Sequence, residues 1–249
     1  MLKILKADFR KFFAGKLFIV MAVLSVVFPL FSAGLYRLVL RNAQIPISIN
    51  AETAFYGSFS PLNNYGLMLM IFMIIILLAD FNQNTIRNKI VAGYSKTTVY
   101  LAGSVFTLSI ACIATSIHAI LTYFLTKHLV ASTGEAFTVI LRHLGVALLG
   151  TMAVYAFLQF LVFTFKSFGP ALGILLGALL LTTMVFYALT VRIEMEVLEI
   201  VLIFLPSLQL SGNLAFKASL IPWMVLANIA YTALLVGLGL YLNKRLDYK

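Results

Sequence analysis

Six long stretches of this chain are nearly free of charge: Leu17–Val39, Asn64–Ala79, Val99–Leu125, Val139–Phe163, Pro170–Val191 and Ser219–Leu242. A helix needs about 20 mainly apolar residues to cross the hydrocarbon of a bilayer, whereas a membrane β-barrel shows strands of about 10 residues with alternating polarity. The stretches here are continuous, which predicts an all-α polytopic membrane protein with six transmembrane helices. The second is the shortest, yet Leu67–Leu78 within it carries no charge. No loop is long enough for another folded unit, so residues 1–249 form a single transmembrane domain. The longest connector, about Leu40–Asn63, reads as polar and holds Pro46 and Pro61. Composition agrees, since 10% charged residues is far below the ~25% of soluble domains.

Lys and Arg set the expected orientation, because basic loops stay on the cytoplasmic side. Twelve of the 18 Lys and Arg residues fall at the two termini, in the second loop and in the fourth; six fall on the other side. Both termini are therefore expected in the cytoplasm, as an even number of crossings requires, with the chain in the cell membrane. The first apolar stretch is longer than a signal-peptide core and lacks a clear cleavage site, so it is expected to persist in the mature chain.

Three segments outside the spans carry information. Residues 1–16 have helical spacing, with Leu2, Leu5, Phe9, Phe12 and Phe13 on one face and Lys3, Arg10 and Lys11 on the other. This predicts an interfacial helix on the inner leaflet, its Phe side chains at the acyl boundary. It serves either as an anchor for the first span or as a docking element. The loop 80–97 is punctuated like a short helix: Asn84 or Thr85 can cap it, Ile86 and Ile90 stack at i and i+4, and Gly93 can end it in the left-handed conformation. Ser95 can cap the next span. The product is either a protein-docking helix or a well-capped turn. Between the last two spans, Ile200–Leu210 is apolar, broken by Pro206 and too short to cross; residues 199–213 read as a re-entrant segment on the outer side.

Motifs for chemistry are missing. No Gly-x-x-x-x-Gly-Lys-Ser/Thr element occurs; Gly93-Tyr94-Ser95-Lys96-Thr97-Thr98 has the wrong spacing. The serine of Gly93-Tyr94-Ser95 has no histidine base near it, and His118, His128 and His143 lack metal-ligand spacing. Cys112 is the single cysteine. Membrane-embedded carboxylates, the usual parts of an ion-coupled carrier, are absent from the span cores, with Asp80 at a span end. No enzyme activity, metal or cofactor is expected in the chain, and uphill transport would draw its energy from another subunit. Gly169, Gly173 and Gly177 form a small-residue face suited to close helix packing, either within the bundle or across a dimer. Tyr65, Tyr155, Gln159 and Tyr231 are candidates for lining a path or for buried packing.

The basic N-terminal helix, six spans, an acidic residue at the end of the second followed by Asn84-Thr85-Ile86-Arg87-Asn88-Lys89, then Gly93-Tyr94-Ser95-Lys96 and Tyr100-Leu101-Ala102-Gly103, together resemble the ABC-2 type permeases, the membrane subunits of ATP-binding-cassette exporters. The likeness covers the whole chain in architecture and is motif-specific over Asp80–Gly103. The family commonly has glutamate and Gly-Thr where this chain has Asp80 and Asn84-Thr85. The resemblance implies two permease subunits, identical or related, and two cytoplasmic ATPase subunits that bind ATP and Mg. It implies a coupling helix at Thr85–Val91, with Ile86 and Ile90 filling a groove, Arg87 and Lys89 setting orientation and Gly93 closing the helix. An N-terminal elbow helix carrying Arg10 and Lys11 would also meet the ATPase. Export of an amphipathic substrate, with peptides and antimicrobials favoured, follows from the same resemblance. A non-transporting membrane sensor or scaffold that docks a partner through the same loop is the alternative.

Overall fold

The computed structural model describes residues 1–42, 50–130, 134, 137–190, 195–210 and 218–245. Among them all regular structure is helical: α1 (Leu2–Phe13), α2 (Lys16–Asn42), α3 (Ala51–Gly57), α4 (Asn64–Asn82), α5 (Thr85–Val91), α6 (Lys96–Leu129), α7 (Phe137–Phe165), α8 (Phe168–Thr190), α9 (Met195–Ile203), α10 (Pro206–Gln209) and α11 (Ile221–Arg245). Six of these, α2, α4, α6, α7, α8 and α11, are long and apolar enough to cross a membrane, and the chain is a multi-pass membrane protein. Hydrocarbon leaves backbone polar groups no partner but each other, so long helices are the form such segments take.

Burial ranks the six. α7 is buried over 72% of its most apolar window, α6 over 50% and α4 over 44%, against 22% for α2, 17% for α8 and 11% for α11. α7 is thus the central post, packed against α4, α6, α8 and α11. Successive spans run in opposite directions. At one end Phe163 of α7 meets Phe81 of α4 and Tyr100 of α6, and Asn243 of α11 donates to the Lys96 carbonyl at 2.9 Å. At the other, Tyr123 of α6 and His143 of α7 meet Phe55 and Tyr56 of α3.

The 40–63 connector is not wholly irregular. Asn50 and Thr53 form a reciprocal capping box, and α3 buries Ala51, Ala54 and Phe55 against α6. A seven-residue helix shows too little periodicity to stand out, so its signal was the box. The apolar run 200–210 breaks before Pro206, whose ring cannot continue α9. Gln209 satisfies the freed carbonyls of Leu202 and Ile203 at 3.1 and 3.0 Å, and accepts from Asn228 of α11 at 2.8 Å. Both amides are buried, so one polar clasp fastens α9–α10 to α11. Residues 211–213 lie outside the described residues.

Among the described residues nothing lies within 4 Å of a Cβ built at Gly169, Gly173 or Gly177, so no close helix packing is seen at them there. α8 packs instead through Ala171, Leu175 and Leu179 on its other side. Only Lys166 and Ser167 separate α7 from α8, with Lys166 at φ 49°. Gly239 has the opposite role, since a Cβ there would overlap the Tyr100 ring and hydroxyl. Replacing Gly239 by Val should force α11 away from α6 and cost about 1–3 kcal/mol, read as a lowered Tm in detergent, with Gly173→Val as an unaffected control.

Candidate functional site

The loop helix α5 owes its position to two backbone reversals. Asn84 sits in the left-handed region at φ 54°, which asparagine tolerates better than most residues; its side chain makes no capping bond, so the expected Asn84 or Thr85 cap is replaced by a change of backbone direction. At the other end Gly93, at φ 92°, closes a Schellman motif. Its N–H bonds the Ile90 carbonyl and the Tyr94 N–H bonds that of Lys89. Ser95 then caps α6, accepting from the Thr98 N–H at 3.1 Å.

Between these turns α5 presents two faces. Inward lies Ile86, 4% exposed, with Ile90 packed at the margin of the main core. Inward too is Lys89, whose Nζ lies 2.7 and 2.9 Å from the two carboxylate oxygens of Asp8 on α1 and 3.9 Å from Asp80 at the end of α4. Lys11 of α1 completes the cluster, donating to Asp80 at 2.9 Å and Gln83 at 3.0 Å. Outward lie Arg87, Asn88 and Val91, the last 80% exposed. Thr85 is half-buried and Gly93 exposed.

α1 does not lay its whole apolar face against lipid. Ile4 and Phe12 are buried in the protein, and Phe9 and Phe12 meet Phe106 of α6 edge-on at 5.2 and 5.7 Å. Leu2 and Phe13 stay exposed, with Arg10 on the outer side. Of the residues expected to act together, the structure brings Lys11 and Lys89 into one ion cluster and leaves Arg10 and Arg87 exposed at the surface.

Burial lifts the Asp8 carboxyl above its ordinary range; Lys89 and Lys11 pull it down, while Asp80 adds repulsion. The native chain therefore holds the Asp8 proton to higher pH than the unfolded chain. This group's contribution to stability is greatest below the ordinary value of 3.8 and falls as pH rises through the folded-state value. An ionised Asp8 is still preferable to no partner, because Lys89 is also largely buried.

The path candidates divide. Tyr65 is buried, with its hydroxyl 2.7 Å from Ser25 of α2 and 3.2 Å from the Ala114 carbonyl of α6, and its ring stacks on His118 at 3.9 Å. Gln159 ties α7 to α6 by donating to Ser104 at 3.0 Å, and Tyr155 is buried beside it on α7. Tyr231 alone is exposed, on a groove of α11. Sequence reasoning passed over Asp8, although it is the one acid among the first sixteen residues, and it passed over Val91.

Asp8→Ala should strand the Lys89 ammonium and cost about 1–3 kcal/mol, whereas Asp8→Asn should cost less and flatten the pH dependence of unfolding on the alkaline side of the ordinary carboxyl value of 3.8. Thermal unfolding of both variants in detergent across that range checks the sign. No protein-family model matches the chain, and no curated protein matches it either.

Proposed function

We propose that the chain is the membrane-spanning permease subunit of an ABC exporter, working as a homodimer or heterodimer with a cytoplasmic ATPase. The observation that carries the reading is α5: a short helix held rigidly beyond the ends of two spans, with an uncommitted outer face. Its inner face is bound to α1 and α4 by the Asp8–Lys89–Asp80–Lys11 cluster. A push on α5 therefore reaches α1 through an ion pair and α4 and α6 through the backbone. The absence of carboxylates from the span cores favours an energy source outside the chain.

In this reading α1 is the elbow helix, α5 the coupling helix and α9–α10 the re-entrant hairpin, with α1 and α5 on the cytoplasmic side. Arg87, Asn88 and Val91 meet the ATPase directly, with Arg10 beside them on α1, Val91 as the apolar anchor and the arginines setting orientation. Ile86, Lys89 and Lys11 act one step behind, by holding α5 in place. The cargo proposed from the family resemblance is an amphipathic molecule, with peptides and antimicrobials favoured. ATP and Mg belong to the partner subunit.

Two substitutions separate the direct contacts from their support. Arg87→Glu with Val91→Asp should reduce co-purification of the co-expressed ATPase at least tenfold while leaving Tm unchanged. Ile86→Asp should lower Tm itself, because it buries a charge. Retained co-purification in the surface double variant would reject α5 as the docking element. Arg87→Cys in a Cys112→Ser background should be labelled by an impermeant maleimide only in inside-out vesicles; labelling from outside the cell would reject the orientation.

A further inference from the structure

Beside the ion cluster lies a cleft of about 220 Å³, bounded by α1, the first turn of α2, the last turns of α4 and Phe106 of α6. Its depth in the membrane is fixed by the chain. Only Ala14 and Gly15 separate α1 from α2, and α2 and α4 are both spans, so the cleft begins where the hydrocarbon ends. Along α4 its lining changes from Gln83 and Asp80, at the end of the helix, to Ile76, about 10 Å deeper at ~1.5 Å per residue. Leu17 and Phe106 add apolar surface. The space is therefore polar at headgroup level and apolar toward the hydrocarbon.

Charge and size select an occupant. Asp8 gives both carboxylate oxygens to Lys89, and Asp80 is held between Lys11 and Lys89. Neither acid is left to receive a cation. Lys16 also lines the cleft, is exposed, and enters none of the ion pairs among the described residues. Three ammonium groups thus face two carboxylates, and the surplus is positive. One turn of helix, about 10 Å across and about 5.4 Å high, needs about 400 Å³, more than the whole cleft holds, which excludes a segment of a partner helix or of a second copy. A volume of about 220 Å³ spread over about 10 Å of depth leaves a cross-section of about 20 Å², against about 80 Å² for a helix. A single unbranched chain with an anionic head meets both conditions.

We propose that the cleft binds one anionic phospholipid of the leaflet on the α1 side, with its phosphate against Lys11 and Lys16 and the upper part of one acyl chain beside Ile76 and Phe106. A free phosphate would satisfy the lysines and leave the apolar end empty. A bound lipid touches α1, α2 and α4 together, so the headgroup composition of that leaflet sets how firmly the N-terminal helix is seated. The site does not depend on the ATPase reading, since the outer face of α5 takes no part in it.

The full chain in dodecyl maltoside is titrated with palmitoyl-oleoyl-phosphatidylglycerol, with the phosphatidylcholine of the same chains and with inorganic phosphate, and bound lipid is counted by native mass spectrometry. One phosphatidylglycerol per chain should be retained, about fivefold or more tighter than the phosphatidylcholine. Lys16→Gln should weaken it about fivefold, the effect of one lysine near an anionic lipid surface, and Ala79→Leu, which fills part of the cleft, should weaken it as well. Inorganic phosphate should not displace it. Lys16 is exposed, so Lys16→Gln should keep the wild-type Tm and keeps the test usable if Ala79→Leu does not fold. Equal retention of the two lipids would overturn the proposal. So would an equal loss in Lys3→Gln, whose residue lies outside the cleft, because binding would then be diffuse attraction to α1. Displacement by phosphate would give the site to a free anion instead.

Discussion

Where α4 leaves the hydrocarbon, two carboxylates and two ammonium groups from three different helices neutralise one another. Lys89 is the centre of this arrangement: it reaches Asp8 at 2.7 Å and stands 3.9 Å from Asp80, which Lys11 holds from the other side. A buried charge without a partner costs several kcal/mol, while a pair with good geometry roughly breaks even. The cluster therefore adds little net stability, yet it restricts the ways α1 and α5 can be placed. Any arrangement that separates them leaves a charge without its partner in a poorly solvated border region.

The apolar contacts and the ion pairs divide the task. Phe106 of α6, met edge-on by two rings of α1, gives the N-terminal helix its attachment, and this attachment is tolerant of sliding, as ring contacts are. The ion pairs are directional and remove that freedom. Deeper in the bundle the same division recurs. α7 packs through aliphatic side chains, while Gln159 on Ser104 and Tyr65 on Ser25 fix rotation and depth. Interhelical hydrogen bonds of this kind contribute about 1 kcal/mol or less each, so their effect lies in specifying which faces meet.

The six spans were legible because their signal is length without charge, which needs no knowledge of partners. Gly93 and Ser95 were legible for a related reason, as a left-handed glycine and a serine cap act within a few residues of themselves. The ion cluster was not, since Asp8 and Lys89 are 81 positions apart and each looks like a solvated charge in its own neighbourhood. Ile86 illustrates the limit from the other side: its spacing with Ile90 identified an apolar edge but not whether that edge faces a partner or the chain's own core. The glycines of α8 show the same ambiguity, because small residues at every fourth position permit a close approach without requiring one. α3 was hidden by its brevity, although Asn50 and Thr53 announce its start.

The joint between α7 and α8 limits how the bundle can move. Two residues bridge the helices, too few to pay out slack if one were to slide lengthwise against its neighbour. Displacement of α8 must then be a pivot about Lys166, small at that hinge and growing with distance toward Thr190. Leverage in this molecule would accumulate at the far mouth of the bundle.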